Sequence, residues 1–207
     1  MSSPHASETP SGIDMGREEL HFRRIDMRGY RRGDGLFEVE GRVTDRKPHE
    51  FTAAGGGPAI PPHEPLHDMG VRLIFDEAMI IRDVQTFTRV APYTPCQDGG
   101  KALQLMKGVR IGPGWGSEVR SRLSGPRSCT HLMELLLPMA TAAIQAMSAV
   151  RKGEPNPIGK SGRPWQIDSC YAYDAGREVV LQRWPQFHRP GAAGSEAQLS
   201  QPPFPAL

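Results

Sequence analysis

One stretch constrains the fold more than any other: residues 128–150, SCTHLMELLLPMATAAIQAMSAV, the only long, strongly apolar run in the chain. Ala, Leu, Met, Glu and Gln dominate it, all strong helix formers, and apolar residues fall on nearly every face, so it reads as the central core helix. Ser128 is expected to cap its start, and Arg151, Lys152 and Gly153 give it a cationic, Gly-terminated end. Pro138 should kink or restart it, because proline removes a backbone donor and crowds the preceding turn. The run approaches membrane-span length, but Glu134, Pro138, Thr141 and Gln145 interrupt it, which favours a buried helix of a soluble protein.

The same segment opens with the densest chemistry in the sequence. A cysteine in the first turn, Cys129, sits where unpaired N–H groups and the helix dipole favour thiolate. His131 and Glu134, spaced i, i+3, share a helix face and suit metal binding or proton relay. Cys129 and His131 converge on one ion only if Cys129 stays in the non-helical cap. The bland alternative is a small buried cysteine, a capping histidine and a solvated glutamate.

The chain has 207 residues, 38% of them hydrophobic, and a formal charge of +2. That length suits one core-bearing domain with tails. Arginines are spread along the chain, so neither a nucleic-acid nor a membrane footprint is expected. The first residues lack the apolar segment of a secretory leader. Three cysteines, Cys96, Cys129 and Cys170, are odd in number and far apart, which fits reduced thiols in a cytoplasmic protein.

Residues 1–20 and 189–207 read as disordered tails flanking a single domain over 21–188. The 36–45 segment alternates apolar and polar residues after the Gly33-Asp34-Gly35 turn, as a half-buried strand does. A Gly/Pro loop over 53–65 separates it from strands over 67–76 and 79–90, which a short turn joins. Hairpin-length connections predict an antiparallel meander of three strands or more, packed on helices. Short helices over 100–106 and 117–123 flank a rigid loop, Ile111-Gly-Pro-Gly-Trp-Gly, with Trp115 at its tip. That loop lacks the lysine of a phosphate-binding loop. Residues 153–164 form a polar linker, and 165–173 and 178–184 read as a short extra β-hairpin. The fold class is therefore α+β.

Chemistry-bearing residues fall at element ends, where functional groups are often displayed. They are His67 and Asp68, Cys96, Cys129 with His131, and Asp168 with Cys170. Zinc and iron accept Cys, His and carboxylate ligands, so a shared metal site is chemically reasonable. Three readings follow. The first is a metal-binding domain with zinc or iron at His67, Asp68, Cys96 and Cys129, with His131 beside them. Its open position would support hydrolase or lyase chemistry on a small organic molecule. The second is a metal-free enzyme using Cys129, with His131 beside it, or an Asp68–His67 pair as nucleophile or acid/base on a small aromatic substrate, lined by Trp115, Tyr93 and Arg110. The third is a non-catalytic accessory protein. His5, His21, His49, His63 and His188 read as solvated, Asp45 and Lys47 as a strand-end pair in preference to residues that polarise a site, and Trp165 and Trp184 as packing residues. Asp168 and Cys170 share a face if their segment is a strand.

Several motifs carry a resemblance: Tyr30-Arg-Arg-Gly-Asp-Gly-Leu, Glu40-Gly-Arg-Val-Thr-Asp-Arg-Lys, His67-Asp-Met, Pro92-Tyr-Thr-Pro-Cys, Gly114-Trp and Cys129-Thr-His-Leu. Together they resemble the bacterial family labelled domain of unknown function 2889, over about residues 22–188, with Phe37 where Trp is expected. The label implies no activity. More distantly, Asp68-Met-Gly-Val-Arg-Leu-Ile-Phe, Ile80-Ile-Arg-Asp-Val-Gln-Thr-Phe, Cys96 and Cys129 are similar to the scaffold proteins of iron–sulfur cluster assembly. That resemblance implies a pocket using Cys96 and Cys129, with His67 where the first cysteine falls and Asp68 near the pocket aspartate. The histidine and the inserted Trp115 loop depart from the scaffold pattern, and the His/Asp/Cys mixture suits zinc or mononuclear iron better than a cluster.

Overall fold

The computed structural model describes residues 16–151 and 162–191. The chain divides into two compact units, Met1–Val150 and Arg151–Leu207. The tails and linker expected from the sequence lie largely outside the described residues.

The first unit is α+β. Strands β1 (Phe22–Arg31), β2 (Phe37–Arg46), β3 (Pro65–Phe75) and β4 (Ile81–Val90) form an antiparallel sheet in the order β1-β2-β3-β4. It is the expected meander with one strand more, because the segment before the Gly33-Asp34-Gly35 turn pairs along its whole length with β2. The β2 alternation is realised literally: Phe37, Val39, Gly41, Val43 and Asp45 are buried, and the residues between them are half-buried. Along β3 both faces are largely buried, as expected of an interior strand.

Two short 3₁₀ turns (Thr94–Gln97 and Lys101–Met106) follow β4, then α1 (Trp115–Leu123) and α2 (Thr130–Val150). Helix α2 runs through Pro138 without restarting, with the proline on its exposed side. Leu132, Leu135, Leu136, Met139, Ala143 and Met147 make its buried face, the i, i+3, i+4, i+7 stripe of a core helix. By length and composition α2 could cross a membrane, but its apolar stripe belongs to the same core cluster as Val39, Val43, Met69, Val71 and Leu73 of the sheet. Close approach is permitted by Gly41, where a Cβ would stand 2.9 Å from Met139 Sδ, and by Gly29, where it would meet Ala146 Cβ at 2.6 Å.

Trp115 departs from its expected place. It is the first residue of α1, 5% exposed, and its indole N–H donates to the Leu136 carbonyl at 2.7 Å. A large aromatic with a partner for its one polar atom suits the core better than a loop tip.

The second unit also corrects an expectation. No β-hairpin forms over 165–184. Its described residues hold a 3₁₀ turn (Tyr171–Tyr173), a short helix α3 (Glu178–Arg183) and another 3₁₀ turn (Pro185–Phe187) around Ile167, Ala175, Val180 and Trp184. The cause is local. Asp168 takes a left-handed backbone (φ 66°), and its carboxylate accepts the Ala175 N–H at 2.8 Å, folding the segment back on itself before a strand can extend.

Candidate functional site

At the end of the sheet where β2 closes and β3 opens, the inward face turns from apolar to polar. The β2–β3 register pairs Asp45 directly with His67, and the β1–β2 register pairs Arg23 with Asp45, so three polar side chains meet on the core side. Asp45 is 2% exposed and His67 8%. Arg23 grips Asp45 with two bonds, Nε to Oδ1 and Nη2 to Oδ2, each 2.8 Å. His67 Nδ1 lies 3.0 Å from Asp45 Oδ2, which leaves its Nε2 for another partner.

Helix α2 adds the fourth group. The His131 ring lies against that of His67, centroids 4.1 Å apart and tilted by 39°. Asp45, His67 and His131 each offer a ligand atom, all within 4.8 Å of one another. Among the described residues this is the one grouping of three or more His, Cys, Asp or Glu suited to a metal ion. Cys129 sits beside it, with Sγ 4.0 Å from His131 Nδ1 and 3.7 Å from Met69 Sδ.

Local structure fixes Cys129. It precedes α2 outside the helical residues, and its carbonyl accepts the Met133 N–H at 3.0 Å. Cys129, not Ser128, is therefore the cap; the Ser128 hydroxyl donates to the Leu123 carbonyl instead. The Cys129 N–H bonds to Gly99 O at 2.9 Å, and a Cβ on Gly99 would fall 2.7 Å from that of Cys129. The turn after β4 thus holds the helix start in place.

The electrostatics follow. Burial pushes the Cys129 thiol up, but His131 and the N–H groups of Leu132 and His131 outweigh it and hold the thiol below its ordinary range. The same Cys129 contact raises His131 against its burial. Burial and the neighbouring His131 lower His67, despite Asp45. Burial also opposes the Asp45 charge, yet Arg23 first, then His67 and His21, keep the carboxyl below its usual range.

The structure brings together only some of the residues singled out in the sequence. His67 and His131 meet, with Cys129 adjacent. Asp68 does not join them, because successive strand residues point to opposite faces; it is bound on the other face by Arg42 at 2.7 and 2.8 Å, with Arg89 at 3.8 Å. Cys96 is half-buried in the turn that supports Cys129 and lies outside the metal-suited group. Tyr93 is 45% exposed just before that turn. Arg110 pairs through its backbone with Ile80, next to the far end of β3, eight residues or about 26 Å along the strand from His67. Trp115 is in the core. Glu134 is exposed and meets Arg23 at 3.5 Å. Asp168 and Cys170 belong to the second unit, and their segment is not a strand.

Asp45 is the candidate site residue for which the sequence favoured a strand-end pair. It bonds to Arg23 and His67, not to Lys47, whose ammonium lies over the Phe51 ring. The signal was in the alternation itself, which carries Asp45 to an inward position after Val39, Gly41 and Val43.

No curated protein and no solved structure matches the chain. The more distant similarity to cluster-assembly scaffolds accordingly gains no support. The motif-level resemblance stands on firmer ground: the model of the family described as "Protein of unknown function (DUF2889)" matches residues 21–145, more than half of the chain and all four strands, and the protein belongs to that family.

Proposed function

We propose that Asp45, His67 and His131 hold one divalent transition metal, zinc or iron, and that this centre serves hydrolase or lyase chemistry on a small organic substrate. The observation that carries the reading is the convergence of three ligand atoms within 4.8 Å across two strands and a helix start. Imidazole and carboxylate donors suit both metals. Ligand bonds of about 2.0–2.2 Å put neighbouring donors about 3.3 Å apart, a contraction within reach of small side-chain rotations. His67 Nδ1 and Asp45 Oδ2, 3.0 Å apart, would exchange their mutual contact for bonds to the shared ion. Three protein ligands leave a position for water or a substrate carbonyl, which the metal would activate or polarise. Three free cysteines support a reducing, cytoplasmic setting.

Elemental analysis of untagged protein, purified without chelators, tests the reading. It predicts about one zinc or iron per chain, lost in the folded His67→Ala and His131→Ala variants. A folded, metal-free wild type contradicts it.

A second reading rests on the Cys129–His131 contact. With Sγ 4.0 Å from Nδ1, a thiol pushed down beside an imidazole pushed up is shifted toward a thiolate–imidazolium pair, the activated nucleophile of cofactor-free thiol enzymes. It predicts rapid alkylation of Cys129 by iodoacetamide at neutral pH, slowed in His131→Ala and unaffected by chelators. Slow alkylation in metal-free wild type contradicts it.

A further inference from the structure

We infer that His21 closes over the Asp45–His67–His131 centre as an additional metal ligand; the inference rests on the metal reading above. His21 immediately precedes β1 and stands two residues before Arg23, so it is carried toward the same side of the strand as Arg23, the side that faces Asp45. Its Nε2 lies 3.6 Å from Asp45 Oδ1. That separation is too long for a good hydrogen bond, whose N···O distance is about 2.7–3.2 Å. It is close to the roughly 3.3 Å edge between two donors on one tetrahedral zinc.

The position of His21 differs from those of the other ligands in a useful way. Asp45 and His67 are buried and locked by their neighbours, whereas the His21 side chain is 40% exposed. It stands outside the group whose ligand atoms all lie within 4.8 Å, so it would turn toward an ion that the buried residues had fixed, approaching from the solvent side. Asp45 Oδ1 is the shared reference point: it accepts from Arg23 Nε at 2.8 Å and faces His21 across the remaining gap. The site would then have a rigid inner half supplied by the sheet and helix, and a mobile outer half supplied by the residue before the first strand. Such a ligand controls access, since it must move aside for a substrate to reach the metal.

Cobalt(II) titration of the full chain, followed by its visible ligand-field spectrum and by competition with a chelator, tests the inference. Wild type, His21→Ala, His67→Ala and His49→Ala would be compared, with circular dichroism confirming that each folds. His49 is an exposed histidine outside the site and serves as the control. The expected result is one bound ion in wild type and in His49→Ala. His21→Ala should bind at least roughly ten- to hundredfold more weakly, the loss typical even of an outer-sphere partner, with a changed spectrum. If His21→Ala binds with unchanged affinity and spectrum while His67→Ala loses the ion, the inference fails and the three-residue centre survives. If wild type binds no cobalt, both fail.

Discussion

Removing the Asp45 carboxylate would strand two partners at once, the Arg23 guanidinium and the His67 imidazole. Breaking a fully buried pair costs about 3–5 kcal/mol, and Arg23 is a third exposed, so Asp45→Ala should destabilise by roughly 2–3 kcal/mol in urea unfolding. The other aspartate pair of the same sheet end is the natural contrast. Asp68→Ala also breaks a two-bond arginine contact, but that arginine, Arg42, is 40% exposed, so the loss should be roughly 1 kcal/mol with metal content unchanged. A larger effect of Asp68 on metal content would reverse the assignment of faces.

The two histidines should titrate apart in metal-free protein. Burial and His131 lower His67, so its stabilising contribution is full above the ordinary histidine pKa of about 6.5 and is lost as pH falls through its depressed value. Cys129 raises His131, so that contribution is full below about 6.5 and is lost as pH rises through the raised value. Imidazole NMR titration should therefore place His67 below and His131 above the ordinary value, and the reverse order would contradict the geometry. The residue types at this site were legible in the sequence, whereas their pairing was not. His67 and Asp68 are neighbours in the chain, yet strand alternation separates them. Asp45 and His67 are 22 residues apart, and only the β2–β3 register joins them.

At the scale of elements, the sequence made β2, β3, β4 and α2 readable through periodicity and helix-forming composition. It concealed β1, whose residues are mostly exposed and arginine-rich, so that no apolar alternation marks it. It also suggested strands over 165–184, where β-branched and aromatic residues mislead and the Asp168 turn decides. Helix α2 lies close to the sheet because Gly29 and Gly41 carry no side chains. Gly29→Ala would push a methyl into Ala146 Cβ at 2.6 Å and lift the helix. It should cost roughly 1–3 kcal/mol by overpacking, read as a lower urea midpoint with an unchanged slope. An unaffected midpoint would mean that helix and sheet are less closely packed than described. Because α2 also carries His131, the same variant should weaken metal binding, which couples the core packing to the site.

For the whole molecule, the metal-suited residues and the large core lie in Met1–Val150, and the family match ends at residue 145, within that unit. Among the described residues of the second unit, four buried side chains form its core cluster, with Tyr173 and Phe187 packed against it, a small core compared with that of the first unit. A chain ending after residue 151 should therefore unfold cooperatively and keep its metal, whereas a 152–207 fragment should show no cooperative transition by circular dichroism. A metal bound to the native state alone stabilises by mass action, so adding zinc should raise the melting temperature and a chelator should reverse the rise. The central claim meets its most direct test in a crystal of the full chain grown with zinc, with diffraction recorded on either side of the zinc absorption edge. One anomalous peak about 2.0–2.2 Å from donor atoms of Asp45, His67 and His131 is the predicted result. A peak seated instead on Asp68 or Cys96, or no peak between β2, β3 and the start of α2, would contradict it.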